Sequence, residues 1–93
     1  MKNIKLSNPE KTLIVLLKLA KGTKKNIKFE DLVVSLFKEF PEDFHLRGYK
    51  EYPDAESIRK PLYKFKKEGV LLVRNMVISF TDKGLDIANN IKN

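Results

Sequence analysis

The stretch Asp54-Ala-Glu-Ser-Ile-Arg-Lys-Pro-Leu-Tyr-Lys-Phe-Lys-Lys-Glu-Gly69 carries the signals of one complete helix. Asp54 is a preferred N-cap because its carboxylate accepts from the backbone N–H groups that a first turn leaves unpaired, and Ala55 and Glu56 suit the positive end of the helix dipole. Gly69 suits the C′ position, where the backbone turns left-handed to end the helix. At about 100° per residue, Ala55, Ile58, Leu62 and Phe65 fall on one side. Lys60, Tyr63, Lys64 and Lys67 gather on the other, with Glu56 above them and Arg59 on the flank. The first side needs a core; the second reads either as a solvated face or as a surface for an anion. Pro61 lies inside the helix, where it removes a donor and crowds the Ser57 carbonyl, so a kink or an irregular start is expected there.

The composition favours the second reading of that face. Nineteen Lys and Arg stand against 12 Asp and Glu, a net charge of +7 and a sequence pI near 9.7. Such a balance suits a polyanionic partner, nucleic acid first and an anionic membrane surface second. Ninety-three residues at 42% hydrophobic, with six phenylalanines and three tyrosines, supply one modest core and hence a single domain over residues 1–93. Cysteine is absent, which excludes disulfides and thiolate chemistry and fits a reducing compartment, with the cytoplasm as default.

Upstream, Met1 to Leu6 places Lys2 and Lys5 before an apolar run, as a signal peptide would. Asn8-Pro9-Glu10-Lys11 and Lys18 interrupt the pattern, and no small-residue cleavage site follows. A helix is expected instead, opened by a Ser7/Glu10 capping box or by Asn8 with Pro9 in the first turn, and stopped at Gly22. Leu13, Ile14, Val15, Leu16, Leu17, Leu19 and Ala20 make it apolar nearly all round, so it belongs at the centre of the core. It is shorter than the roughly 20 residues of a membrane span. Ile27 and Phe29 among Lys24, Lys25 and Lys28 predict a short extended piece at a sheet edge. Phe29, Leu32, Val33, Leu36, Phe37 and Phe40 then have the three-four spacing of an amphipathic helix ended by Pro41.

Between that helix and the basic one, Pro41 to Pro53 is a connector too hydrophobic for a disordered linker. Phe44, Leu46 and one of Tyr49 and Tyr52 are expected to fold onto the core, leaving Arg47 and Lys50 outward. Beyond Gly69, Val70–Arg74 and Met76–Phe80 read as a short hairpin around Asn75, which tolerates positive φ. Thr81-Asp82 caps a last helix expected to bury Leu85, Ala88 and Ile91, and Gly84 weakens its first turn.

The expected class is therefore α+β, in the order helix-strand-helix-helix-strand-strand-helix. In that order, and in the phrases Ile58-Arg-Lys-Pro-Leu-Tyr-Lys-Phe-Lys-Lys-Glu-Gly-Val-Leu-Leu72 and Ile78-Ser-Phe-Thr-Asp-Lys-Gly-Leu85, the chain resembles a winged helix-turn-helix domain over nearly its whole length. The resemblance implies double-stranded DNA binding as a small transcriptional regulator or DNA-targeting module, with the third helix in the major groove and the hairpin as the wing. Ser57, Lys60, Tyr63, Lys64 and Lys67 would face the groove, with Arg59 at its edge, Arg74 and Asn75 at the wing, and Arg47 on the connector. Pro61 inside the helix and the short wing, with only Arg74 as a charge at its tip, each suit the alternative, a winged helix repurposed for protein–protein contact, with a partner at the Pro41–Pro53 connector. Glu56 in the first turn opposes phosphate, and it could equally accept a hydrogen bond from cytosine. Dimerisation through terminal helices, by way of Leu85, Ile87 and Ile91, is a further expectation of the resemblance.

No enzyme, cofactor or metal site is expected. His45 is the sole histidine and has no cysteine companion. Pro53-Asp54 matches the start of a nuclease metal motif, but the acid-x-Lys strand that should follow is missing, and an N-cap accounts for Asp54. Glu39, Glu42, Asp43, Glu51 and Asp54 form an acidic neighbourhood around the connector that reads as facing solvent or a partner. There is no glycine-rich phosphate loop.

Overall fold

A computed structural model describes residues 5–93; of the charged N-terminal prefix, residues 1–4, including Lys2, lie outside the described residues. The first helix, α1 (Asn8–Leu19), opens with a complete capping box. Ser7 Oγ accepts from the Glu10 N–H at 3.2 Å, and Glu10 Oε1 accepts from the Ser7 N–H at 2.9 Å. Of the two capping schemes open in the sequence, Ser7 is the one observed. The helix ends in a Schellman turn, in which the Gly22 N–H donates to the Leu17 carbonyl. Lys21, at φ 54°, takes the left-handed position ahead of Gly22.

Strand β1 (Ile27–Lys28) leads directly into α2 (Phe29–Glu39). The Pro41–Pro53 connector is structured: α3 (Pro41–Phe44), a single turn, is followed by strands β2 (His45–Leu46) and β3 (Tyr49–Pro53), which pair antiparallel. The sequence pattern predicts only an irregular connector here. Gly48, at φ 81°, makes the reversal, and the Asp54 N–H donates to the Phe44 carbonyl at 2.8 Å, closing the excursion at its base. Then come α4 (Ala55–Lys67), β4 (Leu71–Arg74), β5 (Val77–Phe80) and α5 (Asp82–Lys92). Among the described residues the fold is thus α+β, with five helices and five strands in two small antiparallel sheets. The seven predicted elements occur in their predicted order, with α3, β2 and β3 added.

The larger sheet has the order β1-β5-β4, with Ile27 opposite Ile78 and Val73 opposite Ile78 on the other flank. Its inner face carries Leu71, Val73, Ile78 and Phe80 into the core. Helix α1 packs against α2, α4 and α5, as its apolar circumference requires. The buried Thr12 hydroxyl among its apolar residues donates to the Asn8 carbonyl at 2.9 Å, so no polar group there is left unpaired.

From the connector only Phe44 reaches the core, fully buried. Leu46, Tyr49 and Tyr52 stay outside, correcting the expectation that Leu46 and a tyrosine would join it; the tyrosines are 59% and 58% exposed. The alternation of β3 has no apolar face to bury, since its neighbours are Lys50 and Glu51. Thr81 caps α5 by accepting from the Gly84 N–H at 3.0 Å while its hydroxyl reaches the Gly69 and Val70 carbonyls. Gly84, a weak helix former by propensity, has a packing reason: a Cβ there would lie 1.9 Å from the Val70 carbonyl oxygen.

Candidate nucleic-acid interface

Helix α4 presents three stripes. Its N-terminus is capped as expected, the Asp54 carboxylate accepting from the Glu56 N–H at 3.1 Å. At the other end Gly69, at φ 75°, takes the C′ position, and the Val70 N–H donates to the Phe65 carbonyl. The helix is continuous through Pro61, which leaves the Ser57 carbonyl without its usual donor four residues on. The oily stripe seats Ile58 and Leu62 in the core, with Ala55 and Phe65 packed at its margin.

The outward stripe holds Lys60, Lys64 and Lys67, all exposed, with Tyr63 beside them. Ser57, at the head of this stripe, is half-buried, and its hydroxyl donates back to the Asp54 carbonyl at 2.9 Å. Three lysines elsewhere are ion-paired. Lys11 meets Asp43 and Lys18 meets Glu39, each at 2.6 Å, and Lys24 meets Asp82 at 2.9 Å. Among the described residues no ion pair reaches a cation of α4. The acidic neighbourhood of the connector is therefore partly consumed, Asp43 and Glu39 by α1 and Asp54 by capping. No group of three or more metal-ligating side chains occurs among the described residues, and His45 Nδ1 lies 3.0 Å from the Leu46 carbonyl oxygen.

The third stripe faces the β4–β5 hairpin, and one of its members was not singled out from the sequence. Arg59, Leu62, Tyr63 and Lys66 recur at i, i+3, i+4 and i+7 and form one wall of a cleft of about 290 Å³. The opposite wall comes from Phe29, Val73, Ile78 and the hairpin tip, Asn75 and Met76. Arg59 is half-buried, its guanidinium carbon 5.3 Å from the centre of the Phe29 ring, so this side chain turns toward the sheet rather than joining Lys60 and Lys64. Lys66 was legible in principle, being seven residues from Arg59. Recognising it needed the hairpin's position, which the helix pattern alone does not contain.

At the hairpin tip Asn75 and Met76 form a two-residue turn with φ of 49° and 64°, the backbone that a primed turn requires. Arg74 is exposed beside it, opposite Val77. Arg47 is exposed at the tip of the other hairpin, on a different element from the α4 lysines. Leu85, Ile87 and Ile91 of α5 pack in part against the protein's own core, which reduces the apolar area they could offer a second copy. No helix among the described residues is long and apolar enough to cross a membrane. Compared with known protein families, curated proteins and solved structures, the chain matches none.

Proposed function

We propose that this chain is a winged-helix domain that binds double-stranded DNA, α4 entering the major groove and the β4–β5 hairpin acting as the wing. The observation that carries the reading is the outward stripe of α4. Lys60, Lys64 and Lys67 stand exposed along one stripe of a single helix, with no carboxylate partner among the described residues. Unpaired ammonium groups on one rigid stripe attract phosphates and release the counterions condensed on them. In this reading Lys60, Lys64, Lys67 and Arg74 hold phosphates, and Lys60, Tyr63 and Ser57 are the side chains nearest to base edges. Arg59, turned toward the sheet, adds charge on the wing side.

Fluorescence anisotropy with unrelated duplexes tests it. If about four phosphates are neutralised, log K falls with log salt at a slope of roughly −3.6, about a hundredfold loss of affinity for a fourfold rise in salt. Lys60→Glu with Lys64→Glu should abolish measurable binding at moderate salt while the fold persists. A slope near zero, or indifference to both reversals, defeats the reading.

One observation favours a second reading, a winged helix adapted to protein contact. The β2–β3 hairpin exposes Leu46, Tyr49 and Tyr52, the two tyrosine rings meeting edge-on at 6.3 Å between centroids and 61° between planes. Under that reading the lysine reversals are silent, and Tyr49→Ala with Tyr52→Ala removes partner binding.

A further inference from the structure

We infer that the cleft between α4 and the β4–β5 hairpin binds a small aromatic carboxylate, its ring against Phe29, Val73 and Met76 and its carboxylate on the Arg59 guanidinium. The inference is independent of whether α4 meets a duplex, because it rests on the third stripe of that helix and not on the outward lysines.

The lining is chemically biased. Arg59 and Lys66 contribute two cations, Tyr63 and Asn75 contribute neutral hydrogen-bonding groups, and the remaining walls are the apolar side chains of Phe29, Leu62, Val73, Met76 and Ile78. Among the described residues no acidic side chain lines it. Apolar side chains beside two cations suit an amphipathic anion, whose ring meets the apolar lining while its charge meets Arg59 and Lys66.

Arg59 is the natural anchor. Its guanidinium carbon lies 5.3 Å from the centre of the Phe29 ring, within cation–π range, and a guanidinium fork meets the two oxygens of a carboxylate with parallel hydrogen bonds. Lys66 lies two helical turns along the same wall and closes the other end with a second positive charge. A volume of about 290 Å³ is at the small end of ligand sites, the scale of one or two fused rings.

The rim supports the aromatic class. Met76 occupies the second left-handed position of the turn, where glycine is the favoured residue, at a cost of about 1 kcal/mol. What the chain gains there is a flexible thioether at the mouth of the cleft, a group that packs well against ring edges.

The test uses amide spectra of the full ¹⁵N-labelled chain titrated with indole-3-acetate, with the isosteric neutral indole-3-acetamide, and with inorganic phosphate. Saturable shifts at Arg59, Lys66, Val73 and Met76 are expected with the acid, which should bind about tenfold tighter than the amide. Arg59→Lys keeps the charge but loses the fork, and should weaken the acid severalfold with no change for the amide. Lys66→Gln, at an exposed position, should weaken the acid by a smaller factor. Equal binding of acid and amide, an Arg59→Lys chain indistinguishable from the parent, or no saturable shift at these four amides would overturn the proposal. Phosphate matching the acid would also overturn it, by assigning the two cations to a phosphate backbone.

Discussion

The two β-hairpins of this protein have similar lengths and opposite jobs. In β4–β5 the alternation works: Leu71, Val73, Ile78 and Phe80 point one way into the core, and Leu72 and Arg74 point the other. The strand β1 on its far side completes a sheet. In β2–β3 neither face is apolar, the pairing slips between His45 and Leu46, and Leu46, Tyr49 and Tyr52 are exposed. That hairpin is held at its root by Phe44 and by the Asp54 to Phe44 backbone hydrogen bond. A two-stranded ribbon with no buried face is marginal by itself, so it persists because its two ends are fixed by neighbouring helices. The first hairpin is part of the fold's stability, and the second is carried by it.

That contrast can be broken most severely at the root. Phe44→Ala empties a fully buried site and should cost about 3 to 5 kcal/mol in urea unfolding, with β2–β3 the first segment to lose amide protection in hydrogen exchange. At the tip of the other hairpin, Met76→Gly relieves a left-handed side-chain clash and should raise stability by about 1 kcal/mol in the same assay. Indole-3-acetate affinity should fall in that variant even as stability rises, which separates the turn's cost from its use. Smallest of all, Tyr49→Ala with Tyr52→Ala should change unfolding free energy by less than about 0.5 kcal/mol per site, since both rings are mostly in water. A loss above 2 kcal/mol from the tyrosine pair would mean that the second hairpin does support the core.

The same contrast explains what the sequence made legible. Elements whose signals are local came through: the Ser7/Glu10 box, the Asp54 and Thr81 caps, Gly69 at C′, the three-four spacing of α2, and the turn at Asn75. So did the outward exposure of Lys60, Lys64 and Lys67, because helical phase alone dictates which residues oppose Ile58 and Leu62. The β2–β3 hairpin was missed because Tyr49-Lys-Glu-Tyr-Pro53 has no two-residue hydrophobic period; its strands exist through backbone pairing alone. Gly84 read as a defect because its role depends on the Val70 carbonyl, fourteen positions away and invisible to a local window. Arg59 and Lys66 were divided from their true neighbours for a related reason: the wall they share on α4 becomes a cleft only opposite Phe29 and the β4–β5 hairpin, which the helix pattern does not contain.

One backbone contact ties these parts together. Helix α2 begins at Phe29 without a side-chain cap, and its first amide donates instead to the Met76 carbonyl at the hairpin tip, 2.9 Å away. The β4–β5 hairpin tip thus supplies the acceptor for the first amide of α2, and an outward swing of the tip would leave that amide without it. Deuterium uptake at the Phe29 amide would then serve as a built-in gauge of hairpin displacement, readable with no label attached to the hairpin itself.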